Sequence, residues 1–287
     1  MPHDRLRELP RIGPVADTHA HLDMLDDPPG AVENAALAGV GLIATVADVT
    51  EDAERTFEEL GGWIAEASGR LAARRCEGVV LPDVRIVVGA HPHNALAFDA
   101  SALARLRELA ADSRVAAIGE AGLDFHYDHS PREDQRRAFR SSVRVAHECG
   151  LPLVVHLREA HAEGRAVLQE EGVPDAGCVI HCFTEDASTA LSFAEMGCHV
   201  SFAGPLTFKK ADTVRATVSE LPLERILTET DCPFLAPEPY RGRRNEPAWV
   251  TFVVAAVAAA RPEPAAHVTR VLYENARRLF CGEAAGR

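Results

Sequence analysis

Residues that commonly bind divalent cations recur along the chain, most of them at or just after a short apolar run. His19 and His21 are two apart, so an extended backbone would direct both imidazoles to the same side. One such pair among 13 histidines is uninformative, and a single histidine after an apolar run more often makes a structural hydrogen bond. The signal lies in the whole set: His19, His21, His91, His93, Glu120, Asp124, His156, His181, Glu229 and Asp231.

The chemistry predicted from this set is metal-assisted hydrolysis. Four histidines and two carboxylates suffice for two divalent cations that share a bridging carboxylate and keep positions for water and substrate. Such a pair, about 3.5–4 Å apart, would lower the pKa of a water molecule and polarise the bond to be cleaved. Glu229 is predicted to accept a hydrogen bond from a ligating histidine, because such ligands need an acceptor for the second ring nitrogen.

The elements that must position these residues are short apolar runs alternating with helix-like stretches. The runs are apolar without polar alternation, which is typical of parallel strands covered on both faces. Eight strands are predicted: Val15–Thr18, Val40–Ala47, Val84–Gly89, Val115–Gly119, Pro152–Val155, Gly177–Ile180, Gly197–Ser201 and Arg225–Thr228. Helices are predicted from Asp99 onward and over Arg132–Cys149, Asp186–Met196, Trp249–Ala260 and Ala265–Phe280.

Repeated units of this kind predict a single-domain α/β protein across residues 1–287, with the fold of a (β/α)₈ TIM-type barrel. An open doubly wound sheet is the alternative. In a parallel barrel all strand ends open onto one face. The histidines and carboxylates, which we expect just past five of those ends, would therefore meet at the C-terminal mouth.

Composition narrows the class of function. The chain has 43 Asp and Glu against 30 Lys and Arg, a formal net charge of -13, which argues against binding nucleic acid by broad phosphate neutralisation. Bound cations could still supply local positive charge. Seven cysteines favour reduced thiols, with Cys178 and Cys182 as ordinary buried residues. No stretch could span a bilayer and the polar segment 1–13 lacks a secretory signal, so we expect a cytoplasmic protein without a membrane partner.

Several motifs together resemble one known family, the TatD-type metal-dependent deoxyribonucleases of the amidohydrolase-like barrel superfamily. The motifs are DTHAHLD, GAHPH, GEAGLDF, a helix with Gln135 and Phe139, VVHLREA, IHCF and ETDCPFLAPEPYRGRRNEPAWV. The resemblance extends from about Val15 to Phe280. It implies a (β/α)₈ barrel and hydrolysis of phosphodiester bonds in DNA, as a 3′–5′ exonuclease acting on single-stranded ends.

The resemblance also implies roles for individual residues. Two cations, Zn, Mn, Mg or Co, would share Glu120 as a bridge; the histidine-rich set favours the softer ions over Mg. Asp231 would orient and deprotonate the attacking water, and His91 would donate to the phosphate, so that Glu120, Asp231 and His91 are the predicted catalytic residues. The implied substrate contacts are His91, His93, Arg158 and Arg241. The implied metal ligands are His19, His21, Glu120, His156, His181 and Asp231.

One segment departs from the family pattern. Thr184-Glu185-Asp186 follows the His-Cys-Phe motif, where the family has small residues such as Ser and Gly. Two additional carboxylates there would disfavour a polyanionic substrate approaching from that side, so the natural substrate stays open.

Two alternatives remain at this stage. One is a related barrel hydrolase acting on a small phosphoester, lactone or amide; many of these use a carboxylated lysine as the bridge, yet the only lysines are Lys209 and Lys210. The other is a non-catalytic, metal-stabilised binding protein, which predicts coordinatively closed sites.

Overall fold

Eight parallel strands form the centre of the molecule in a computed structural model that describes residues 9–10 and 12–282. The strands are β1 (Val15–Ala20), β2 (Val40–Asp48), β3 (Asp83–Gly89), β4 (Val115–Asp124), β5 (Leu153–Arg158), β6 (Cys178–Ile180), β7 (His199–Phe202) and β8 (Ile226–Thr228). Each strand pairs in parallel with the next one along the chain. This order confirms the predicted barrel, because a doubly wound sheet would reverse its strand order partway. Most of the polar segment 1–13, with its predicted lack of a signal, lies outside the described residues.

Helices follow the strands and cover the outside of the barrel. In the described ranges they are α1 (Pro28–Leu37), α2 (Ala53–Ala73), α3 (Ala100–Ala110), α4 (Arg132–Cys149), α5 (His161–Glu171), α6 (Ala187–Ala194), α7 (Asp212–Glu220), α8 (Val250–Ala259) and α9 (Ala265–Cys281). Helix α3 begins after Asp99, whose side chain accepts hydrogen bonds from the amides of Ser101 and Ala102. Helix α4 ends at Gly150, which takes the left-handed conformation (φ 63°). Among these helices, none is long and apolar enough to cross a membrane.

Three predicted strands are longer in the structure than their apolar runs. His19 lies inside β1, Glu120 inside β4 and His156 inside β5, so the expectation that these three follow the strand ends was wrong. The reason is that pairing continues after the apolar pattern stops, as where Gly122 pairs with His156. His91, His181 and Asp231 do follow their strands, as do His21 and His93.

The first and last strands meet at a seam that main-chain hydrogen bonds close beyond the strand ends. The amide of Asp231 donates to the carbonyl of His19 (2.9 Å), and the amide of His21 donates to the carbonyl of Cys232 (2.8 Å). Two residues after β8 are thereby fixed against His19 and His21 at the end of β1.

The N-terminal end of the barrel is closed by the last helix. Leu279 and Phe280 from α9 join a buried cluster that includes interior side chains of β1–β6 and β8. The side chain of Asn275 donates to the carbonyls of Leu223 and Ile226 at the start of β8 (2.9 and 3.0 Å). With α9 packed across this end, the C-terminal end is left for the polar cluster.

Candidate metal centre

The predicted polar residues meet in a cavity of about 460 Å³ at the C-terminal ends of the strands. His19 lies beneath it, fully buried at 0% exposure. Most of the other predicted site residues line its wall: His21, His91, His93, Glu120, His156, Arg158, His181 and Asp231.

Glu120 is the centre of the cluster, and its two carboxylate oxygens face different imidazoles. Oε1 lies 2.7 Å from Nδ1 of His156 and 2.8 Å from Nε2 of His181. Nε2 of His91 lies 3.5 Å from the same oxygen. Burial would raise the pKa of Glu120, but His181, His91 and other histidines outweigh it and lower this pKa well below its ordinary value. The carboxylate is therefore ionised.

The second oxygen of Glu120 faces the pair from the first strand. Oε2 lies 3.1 Å from Nε2 of His19 and 3.9 Å from Nε2 of His21. Oδ1 of Asp231 joins this side at 3.5 Å from His21 Nε2 and 3.9 Å from His19 Nε2. The seam between β1 and β8 thus brings a carboxylate to the histidine pair.

The donor set fits divalent cations. Possible ligand atoms of His19, His21 and Glu120 lie within 4.8 Å of one another, as do those of His91, Glu120 and His156. Imidazole and carboxylate donors in such groups are ligands of Zn, Mn, Co and related ions. Nε2 of His19 faces Glu120 and Asp231 and is the atom available to a cation, whereas its Nδ1 is buried and has no hydrogen-bond partner among the described residues. None of these clusters, within the part of the chain that the structure describes, includes a cysteine.

Glu229 holds one of the histidines in place. Its Oε1 lies 3.2 Å from Nδ1 of His181, so the predicted contact with a candidate ligand is present. The amide of Cys182 donates to the same oxygen (2.7 Å), and the hydroxyl of Ser201 donates to Oε2 (2.5 Å). Glu229 also falls within 4.8 Å of His19 and His181 as a possible ligand. Because protein donors already occupy both of its oxygens, its contacts suit an orienting group better than a ligand.

Two further predicted substrate contacts, His93 and Arg158, line the cavity. Nε2 of His93 lies 2.8 Å from Oδ2 of Asp124, so that carboxylate fixes the ring. The guanidinium of Arg158 lies over the ring of Tyr127, 4.6 Å from its centroid. This contact holds a positive charge at the mouth, and no carboxylate among the described residues forms an ion pair with it.

Some residues singled out in the sequence lie elsewhere. Arg241 is outside the cavity lining, and its guanidinium lies 4.1 Å from the ring centroid of Phe208, so its substrate contact stays a prediction. Glu185 and Asp186 do not line the cavity either. Asp186 caps α6 by accepting a hydrogen bond from the amide of Thr189 (2.8 Å). Its carboxylate is therefore explained by helix capping.

Three carboxylates at the site were given no individual role in the sequence analysis. Asp124 fixes its turn by accepting from the amides of His126 and Tyr127 (3.0 and 2.9 Å), and it also contacts the imidazole of His93. Asp48 accepts from the amide of His91 (3.0 Å). Its position at the end of β2 was the available signal.

Asp17 is the third, and it is fully buried at the seam. It accepts from both the amide (2.8 Å) and the hydroxyl (2.6 Å) of Thr230. Burial raises the pKa of Asp17 to about 8, against the lowering effect of these hydrogen bonds. Its place two residues before His19 was the signal, and its contact with the chain beyond β8 could not be read from sequence.

Comparison with known proteins agrees with this geometry. The model of the TatD related DNase family matches residues 16–281. The metal-dependent hydrolase YabD of Bacillus subtilis is 42% identical over 193 residues, which cover 67% of this chain and 76% of that protein. A 3′-5′ ssDNA/RNA exonuclease TatD of Cronobacter sakazakii is 37% identical over 218 residues, 74% of this chain and 81% of that protein.

A solved structure has the same architecture. The crystal structure of YJJV, a TatD homologue from Escherichia coli K12, superimposes with a TM-score of 0.79 at 27% identity, covering 93% of this chain and 98% of that one. The family match covers nearly the whole chain, including every residue of the cluster around Glu120. The chain therefore belongs to the TatD-related family of metal-dependent hydrolases.

Proposed function

We propose that this protein is an exonuclease that removes nucleotides from the 3′ ends of single-stranded DNA by metal-assisted hydrolysis. The observation that carries the proposal is the division of the two Glu120 oxygens between two sets of imidazoles. A carboxylate shared in this way is the arrangement that a bridged pair of cations requires. Support for the nucleic-acid substrate and for the polarity comes from the Cronobacter relative's name, 3′-5′ ssDNA/RNA exonuclease.

The proposed ligands form two sets on either side of Glu120. When bound, two divalent cations would supply Lewis-acid polarisation of the phosphate and a lowered pKa for the attacking water. The first set is His19, His21 and Asp231, and the second is His156 and His181.

The other proposed roles belong to side chains that line the cavity. Asp231 orients the attacking water and accepts its proton at a carboxylate oxygen. His91, with its side chain 22% exposed, donates from its imidazole to a non-bridging phosphate oxygen or to the leaving group. Arg158 provides a positive charge for a neighbouring phosphate.

The overall acidity is compatible with this substrate. Arg158 and two divalent cations would offset the carboxylates that line the cavity (Asp23, Asp48, Glu51, Glu120 and Asp231), although the formal net charge of the chain is -13. Because these cations would lie in one cavity and not along an extended surface, we expect a strand end to bind there better than a long duplex.

The test is hydrolysis of 5′- and 3′-labelled single-stranded DNA by metal-reconstituted protein. We expect the 3′ label to be released at once as a mononucleotide, and the 5′-labelled strand to shorten stepwise. Glu120→Gln should lose this activity, whereas Glu185→Gln, outside the cavity, should keep it. Inert DNA together with hydrolysis of a small phosphodiester or a lactone would contradict the substrate assignment and retain the metal chemistry.

A further inference from the structure

Exposed hydrophobic side chains concentrate at the mouth of the metal cavity. Of the large hydrophobic residues that the described ranges leave exposed, Val80 and Leu96 lie away from the cavity. The others line it: Met24, Tyr127, Phe234 and Leu235. Apolar surface kept exposed beside a polar centre is typical of a ligand-binding site.

The two aromatic rings in this group differ in how much of each is available. Tyr127 has the guanidinium of Arg158 over its ring and is stacked on His129, with centroids 5.4 Å apart and planes at 3°. Phe234 is 52% exposed, and its ring contact in the described structure is with His21, at 6.1 Å and 74°. Phe234 therefore presents ring surface next to a candidate metal ligand.

The turn that carries Phe234 is fixed. Its amide donates to the carbonyl of Asp231 (2.9 Å). The side chain of Asn245, only 1% exposed, donates to the carbonyls of Phe234 (2.7 Å) and Thr230 (2.9 Å). The aromatic residue is thus held relative to Asp231 before any ligand binds, which reduces the entropy cost of binding.

We propose that Phe234 is a stacking platform for a nucleobase next to the scissile phosphate, an inference that rests on the proposed nuclease function. A phosphate bound between the two sets of imidazoles places the adjoining base near the mouth, where this ring stands beside His21. A flat apolar face stacks on any base, so the platform gives affinity without sequence preference. Arg158, which also lines the cavity, is available to a neighbouring phosphate.

The first part of the test compares variants on an intact single-stranded oligonucleotide. Loss of one stacked base costs about 5- to 150-fold in affinity, so we expect Phe234→Ala to lower kcat/KM by a factor in this range, mainly through KM. Phe234→Trp should keep most of the activity because it restores an aromatic face. Leu96→Ala, a comparably exposed residue outside the cavity, should behave as wild type.

The second part separates stacking from a structural effect on Asp231. Oligonucleotides carry one abasic residue at the 3′-terminal or at the penultimate position. At one of these positions the abasic residue should lower kcat/KM of the wild-type protein about as much as Phe234→Ala lowers it on intact DNA. The same abasic residue should not lower kcat/KM of Phe234→Ala any further. Equal slowing of intact and abasic substrates by Phe234→Ala would overturn the platform while leaving the nuclease function in place.

A binding measurement separates the platform from the nuclease function itself. Oligonucleotides with 2-aminopurine at the same two positions report stacking by loss of fluorescence. If wild type hydrolyses no oligonucleotide, the proposed function fails. Quenching that Phe234→Ala abolishes would still support the platform, and no quenching by wild type would overturn it.

Discussion

Two buried histidines lie at opposite ends of the same barrel and have opposite electrostatic surroundings. His181 follows β6 at the C-terminal mouth, between the carboxylates of Glu120 and Glu229. Burial would lower the pKa of His181, but these two carboxylates outweigh it and raise this pKa well above the ordinary histidine value.

His199 begins β7 at the N-terminal end. It is 8% exposed, close to the 4% of His181. Burial, followed by the charges of Arg225 and Arg278, lowers the pKa of His199 to about 4. Asp175 lines a cavity together with His199 and the two arginines, and the positive charges outweigh its single carboxylate.

The comparison shows that burial of a histidine does not identify a metal site. The difference lies in the carboxylates, which at the mouth face imidazoles from several strands and at the other end are outweighed by arginines. A cation is favoured where His181 lies and disfavoured where His199 lies. Three predictions on activity and metal binding test this contrast, from the largest expected effect to the smallest, and one on stability comes last.

The largest effect should come from the acid at the end of β8. Asp231→Asn removes the proposed proton acceptor, and we expect kcat to fall by about 10²–10⁴-fold in a hydrolysis assay. Circular dichroism should show a native fold. The matched variant Asp186→Asn changes an acid that caps α6 and should leave kcat unchanged. Turnover by folded Asp231→Asn at the wild-type rate would remove Asp231 from the chemistry.

The two histidines themselves provide a matched pair. His181→Gln should weaken binding of Mn²⁺ or Zn²⁺ by more than the roughly 10- to 100-fold that loss of an outer-shell partner costs, because it removes a proposed ligand. His199→Gln should bind the ions as wild type does. Titration of metal-free protein by calorimetry measures both. Equal weakening in the two variants would erase the distinction between the ends of the barrel.

A smaller effect is expected one contact away from the proposed ligands. Glu229→Gln keeps the shape of the residue but removes the charge next to His181, and we expect metal affinity or activity to fall by about 10–100-fold. Glu224→Gln, an exposed acid in the same part of the chain, is the control. A fall as large as that of His181→Gln would mean that Glu229 is itself a ligand.

The last prediction concerns stability and the N-terminal end of the barrel. The pKa of His199 is about 4 in the folded protein and the ordinary value is 6.5, so the unfolded chain binds the extra proton first as pH falls. The contribution of neutral His199 to the free energy of unfolding is therefore fully present above pH 6.5. It declines by about 3 kcal/mol as the pH falls to 4. Urea unfolding at pH 7 and pH 4 measures the free energy of unfolding. Its loss between the two pH values should be smaller in His199→Gln than in the wild-type protein by this amount. Equal losses in the two proteins would refute the assignment.

Most of the fold could be predicted from the sequence because parallel strands covered on both faces are continuous apolar runs. All eight runs became strands, and α4 was predicted over Arg132–Cys149 as observed. The apolar pattern could not predict strand pairing that continues through polar residues, as at His19 and Glu120. These residues remain in strands because their backbone groups still pair with a neighbouring strand.

Most residues of the candidate site could be predicted from the sequence, but fewer of the contacts between them could. Residue types at or just after the apolar runs were enough to identify Glu120 and the histidines around it. Contacts between distant segments, such as that between Asp17 and Thr230, depend on barrel closure and carry no local signal. Asp186 looked like an acid near the active site because sequence distance does not reveal that its carboxylate is turned to a helix N-terminus.

The most direct test of the central claim is anomalous X-ray diffraction from crystals of the wild-type protein soaked with Mn²⁺. We expect two anomalous peaks about 3.5–4 Å apart, one on each side of Glu120, and none at His199. Glu120→Gln crystals should lose at least one of the two peaks. A single peak in the wild-type protein, or two peaks that do not share Glu120, would contradict a bridged pair of cations at this mouth.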